Sequence, residues 1–75
     1  VKLKKGVKLN DFWDMVVTCK GSVVFTTNQG DFLNLKSAIS QVVFARQFVT
    51  RFDEFGGSIE CDEDDRKKLA AFLEA

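Results

Sequence analysis

The sequence predicts an α+β fold: one small domain, with elements in the order α-β-β-α-β-α and a three-stranded mixed sheet packed against helices. Three observations lead there. Apolar residues recur at helical spacing in three stretches, and β-branched or aromatic residues gather in three short runs between them. Glycine and asparagine punctuate the boundaries, at "NQG" and at the "GG" pair of residues 56–57. The most apolar run, "SVVFTT", is expected at the centre of the sheet, flanked by "DFLNL" and "SIEC". The third strand then runs antiparallel to the first and parallel to the second.

Each element has a local reason. Asn10 is a good N-cap for a first helix through "DFWDMVVTC". Phe12, Trp13, Val16, Val17 and Cys19 share one broad face of it, while Asp11, Asp14 and Thr18 share the other. Gly21 stands where a left-handed C-cap would close that helix. In the hairpin, Asn28 and Gly30 tolerate the positive φ of a tight turn. Phe32 then points to one face of the second strand and Leu33 and Leu35 to the other; Asp31 and Asn34 mark a wet edge.

Ser37 caps the long helix, which runs to the glycine pair. "SIEC" forms the last strand, and Asp62 caps the closing helix, with Leu69, Phe72 and Leu73 inward. Glu63, Asp64 and Asp65 suit the positive end of its dipole as an exposed helix start. Glu63–Lys67 and Asp64–Lys68 are spaced four apart, as helix-surface ion pairs are.

Composition bounds the chemistry. Seventy-five residues make one domain, residues 1–75, in which eight Phe and one Trp supply much of the burial. There is no His, which removes the usual general base near neutral pH and the commonest transition-metal ligand. Cys19 and Cys61 lack a CxxC partner or a base to activate them and are expected as reduced thiols of a cytoplasmic protein. The acids at 62–65 lack the alternating spacing of a calcium loop, and "FGGSIE" lacks the Lys of a phosphate cradle. No apolar run reaches the length of a membrane span. The expectation is a non-enzymatic protein with no cofactor and no membrane segment.

The stretch "KGSVVFTTNQGDFLNLKSAISQ", residues 20–41, resembles small uncharacterised proteins of Gram-positive anaerobic bacteria. In those a hairpin ends in "GD", "LNLKS" follows, and a helix begins. The resemblance covers less than a third of the chain and implies a bacterial cytosolic setting. It implies no activity and transfers no site residue.

Function is sought in the long helix. Leu35, Ala38, Ile39, Val42 and Val49 wind into one stripe, expected to pack on the sheet. Phe44, Phe48, Phe52 and Phe55 form a second stripe, with Gln41 inside it. That stripe is either covered by the first and last helices or meets a partner. On the second reading Phe44, Phe48, Gln41 and Phe55 form a protein interface, in a homodimer or an accessory subunit. The alternative partner is nucleic acid. Net charge is zero, but Lys2, Lys4, Lys5 and Lys8 concentrate in residues 1–8, a solvated basic arm able to bind phosphates.

Overall fold

The computed structural model describes residues 1–51 and 54–74. Helix α1 spans Leu9–Val16 and starts earlier than Asn10 suggests. Lys8 is its N-cap, with extended backbone, and its carbonyl accepts the first helical bond from the Phe12 amide at 3.1 Å. Phe12 and Val16 are buried, Trp13 is half-buried, and Val17, expected inward, is exposed. The helix closes through amides of Val17, Thr18 and Cys19 that return to Trp13, Met15 and Val16. Gly21 is therefore not a left-handed cap; positive φ occurs at Gly6, Gly30 and Gly56 among the described residues.

Strand β1, Val23–Thr26, pairs antiparallel with β2, Phe32–Asn34, with Phe25 opposite Leu33. The turn between them rests on Gly30, whose φ of +89° needs glycine. Its amide reaches the Thr27 carbonyl at 3.3 Å, and the Thr27 hydroxyl accepts from the amides of Gln29 and Asp31. Asn28 keeps negative φ, and its amide instead donates to the Phe55 carbonyl at 3.1 Å.

Strand β3, Ser58–Cys61, pairs antiparallel with the other side of β1, with Ile59 opposite Phe25. The order is β2-β1-β3, so β1 is central and β2 is an edge. Both pairings are antiparallel. As expected, β3 runs antiparallel to β1 and parallel to β2 on its far side; because β1 lies between them every paired neighbour is antiparallel, so the sheet is antiparallel and not mixed. Strands alternate faces. Val23, Phe25 and Ile59 are buried on the helix-bearing side; Phe32, Asn34 and Glu60 are exposed on the other.

Between β2 and β3 the chain is helical in three modes. Helix α2, Ala38–Val43, runs into a π-helical segment, Phe44–Phe48, and then a 3-10 turn, Val49–Arg51. Ser37 is the N-cap of α2 by position, without a side-chain hydrogen bond. Asp62 stands likewise before α3, Glu63–Leu69, which ends in a 3-10 turn, Ala70–Phe72. Leu69 and Leu73 are buried and Phe72 is half-buried against the core.

A chain of aromatic contacts joins the layers. Phe72 meets Phe12 edge-on at 5.6 Å, Phe12 adjoins Trp13 at 5.1 Å, and Trp13 meets Phe44 at 5.7 Å. Phe44 and Phe48 then close on Phe25 of the central strand at 4.9 and 5.1 Å, and Phe55 adjoins Phe48 at 5.0 Å. These edge-to-face and tilted pairs add to the burial of the rings themselves.

The first residues are docked and do not form a loose arm. The Ile59 amide donates to the Val1 carbonyl at 2.7 Å, Glu74 to the Lys2 carbonyl at 2.7 Å, and Lys4 to the Phe72 carbonyl at 2.8 Å. Leu3 pairs with Leu73 in an antiparallel bridge and is buried. Alternation explains this: with Leu3 turned inward, Lys2 and Lys4 turn outward, so a lysine-rich stretch can still pair through its backbone.

Candidate interaction surface

The second stripe of the long helix turns inward and the first divides: Leu35 is buried and Val49 half-buried against the core, while Ala38, Ile39 and Val42 face out. Phe44 is 0% exposed and Phe48 7%, so of the two readings of the second stripe the covered one holds for these rings, which fill the core. Phe55 is half-buried against Phe48, with the Arg51 guanidinium 4.8 Å above its ring; Phe52 lies outside the described residues. Gln41 is also used internally, donating through Nε2 to the Leu35 carbonyl at 2.8 Å. On the stripe expected to pack on the sheet, Ile39 is 79% exposed and Val42 54%, with Ala38 exposed beside them.

Two physical reasons account for this arrangement. Leu35 had anchored the first stripe, but it precedes the helix. It continues the alternation of β2, and its amide donates to the Val23 carbonyl at 2.8 Å. Its burial reports the phase of the strand and says nothing about the phase of the helix. Second, phenyl rings remove more apolar area from water than Ile or Val, so they win when both stripes compete for one core. The i→i+5 bonding of a π-helix, found at Phe44–Phe48, slows the turn per residue and keeps both rings on Phe25.

The exposed face is continuous by helix geometry, since Ala38 and Ile39 lie four and three residues before Val42. Phe32, 69% exposed, is a further uncovered apolar group on the edge strand that α2 contacts. The signal that finds this face in a sequence is subtractive: once a helix's rings are given to the core, its remaining branched residues must point elsewhere.

Opposite in character is the connection at residues 18–21, whose backbone is held by side chains from two other elements. Lys36 Nζ donates to the carbonyls of Cys19 and Gly21 at 2.7 and 3.2 Å, and Lys68 Nζ to that of Thr18 at 2.9 Å. Asp65 accepts the amides of Lys20 and Gly21 at 3.0 and 2.8 Å. It is 1% exposed, where an exposed helix start had been expected. Those two amides hold its carboxyl below the usual aspartate range. A Cβ on Gly21 would meet the Asp62 carboxylate, which is exposed and can turn aside, and would crowd the buried carboxylate of Asp65. Lys68, expected to pair with Asp64, is drawn to the loop.

The thiols are quiet. Burial pushes Cys19 up, with the charge of Asp65 adding to it, and burial likewise raises Cys61. Both are free, and a raised pKa leaves little thiolate at neutral pH. Among the described residues no helix is long and apolar enough to cross a membrane.

The lysines are divided. Lys2, Lys4 and Lys5 line one groove of about 630 Å³ with Arg51, Glu54 and Glu74. Lys8 is not among its walls; it caps α1 and is exposed. Comparison with protein-family models gives no match, and neither the curated proteins nor the solved structures give one.

Proposed function

We propose that this chain is a non-enzymatic protein-interaction module of the bacterial cytoplasm that pairs with a second copy of itself through the outward face of α2. The observation that carries the reading is the exposure of Ile39 and Val42 side by side, at 79% and 54%. A solvated helix face ordinarily carries charge there, and two adjacent branched side chains lose apolar exposure only by meeting another surface. A second copy is the occupant favoured by charge and symmetry. The chain has zero net charge, so copies do not repel one another at long range. A short apolar helix face is also its own complement about a two-fold axis, and such contacts close without growing into fibres.

Sedimentation equilibrium from micromolar to millimolar protein tests this. The wild type is expected as a dimer, and Ile39→Glu with Val42→Glu as a monomer that melts at the same temperature as wild-type monomer. A wild type that stays monomeric at the highest concentration would sink the pairing.

Nucleic acid is the second reading, supported by the meeting of Lys2, Lys4 and Lys5 in one groove. Lys8 would then contribute from outside it. Against this reading, Glu54 and Glu74 stand among the same walls, where they would repel phosphates. A salt titration against random DNA and RNA separates the two: tight, steeply salt-sensitive binding would favour nucleic acid.

A further inference from the structure

The groove at the N-terminal segment is built by three parts of the chain. Residues 2–5 form one wall, held in place by the backbone bonds of Lys2 and Lys4 to Glu74 and Phe72. The 3-10 turn Val49–Arg51 and Glu54 form the other. Gly6, with φ of +79°, makes the bend that carries the chain from the lysine wall to α1. A Cβ there would meet nothing within 4 Å, so glycine serves the bend alone and space beside it is open.

The lining has two chemistries. Leu3, Val7, Leu9 and Val49 contribute apolar surface, while Lys2, Lys4, Lys5 and Arg51 bring cationic side chains. Arg51 is already oriented, its Nε 3.1 Å from a Glu54 carboxylate oxygen and its guanidinium over Phe55. Among the described lining residues Glu54 and Glu74 offset part of the positive charge and leave an excess.

We propose that this groove binds an acidic peptide segment of a partner protein, with carboxylates against Lys4, Lys5 and Arg51 and apolar side chains on Val7, Leu9 and Val49. Charge complementarity chooses the occupant. A phosphate backbone presents charge at every nucleotide, would meet both glutamates, and has no use for an apolar floor. A peptide can place its acids at the lysine rim and its apolar residues between them. The volume, about 630 Å³, is of the size that takes a few side chains.

The experiment measures fluorescence anisotropy of a short dye-labelled peptide in which Glu and Leu alternate. Saturable binding is expected for wild type, weakened about tenfold by Lys4→Glu with Lys5→Glu. Both lysines are exposed, so that variant should melt like wild type; Arg51→Gln, on the opposite wall, should weaken binding independently. A peptide with Ser in place of Leu should bind more weakly than the Glu and Leu peptide. The Ile39→Glu, Val42→Glu variant should bind as wild type does, which keeps this groove separate from the pairing face. Absence of saturable binding, binding unaffected by either set of wall variants, or tighter binding of random single-stranded DNA than of the peptide would each overturn the proposal.

Discussion

Asp65 shows how one side chain can hold an otherwise weak connection. Its carboxylate takes two successive amides, from Lys20 and Gly21, that no helix or strand would satisfy. Those bonds favour the charged form, so its pKa is lower folded than unfolded. The consequence for stability has a definite sign. The contribution is complete above the unfolded aspartate value, about 3.9, and is lost as pH falls through the lower folded value. Asp65→Asn turns an amide donor toward one of the two N–H groups and removes the charge. The variant is expected to melt below wild type at neutral pH and to lose less stability on acidification. Urea midpoints taken from neutral pH into the acid range check this; parallel curves for the two proteins would show that the carboxylate is not the latch.

At the scale of elements, the helical run after β2 decides which surface is core. Because Phe44 touches both Phe25 and Trp13, Phe44→Ala should cost about 3–5 kcal/mol, enough to bring a domain of this size close to unfolding. Ile39→Ala, on the open face, should stay within about 0.5 kcal/mol for the monomer. Denaturant melts at low protein concentration make the comparison without interference from pairing. Equal losses at the two positions would restore the stripe assignment that the sequence suggested. The edge strand is legible at this scale as well: Asp31, Asn34 and Gly30 read correctly as a wet hairpin edge, because turn and edge chemistry are local.

For the molecule as a whole, the two ends of the chain are fastened to each other and to the sheet. Val1, Lys2 and Lys4 exchange backbone bonds with Ile59, Glu74 and Phe72, and Leu3 is buried beside Leu73. In a domain this small each such closure is a sizeable share of total stability. Leu3→Ala is expected to cost about 2 kcal/mol or more. Hydrogen exchange should find the amides of Lys4, Ile59 and Glu74 protected nearly as well as β1. Exchange of Lys4 and Glu74 at the rate of a free peptide would mean that residues 1–4 are a loose arm after all.

The amino-acid sequence by itself determined the order of elements, the central place of β1, the hairpin turn at Gly30 and the inward Phe12, Val16, Leu69 and Leu73. These rest on periodicity, turn chemistry and the apolar content of a single strand, all of which act over a few residues. Only the tertiary structure decided which stripe of the long helix faces the sheet, whether Asp65 is buried, and that Lys2, Lys4 and Lys5 wall a groove while Lys8 does not. The physical reason is common to all three. Two apolar stripes on one helix are locally equivalent, and only the rings of Trp13 and Phe25 arriving from other elements break the tie in favour of Phe44 and Phe48. In the same way Asp65 becomes a latch only when unsatisfied amides of a loop more than forty residues earlier are carried to it. A lysine becomes part of a wall only when its neighbour, like Leu3 beside Lys2 and Lys4, has a buried place to go.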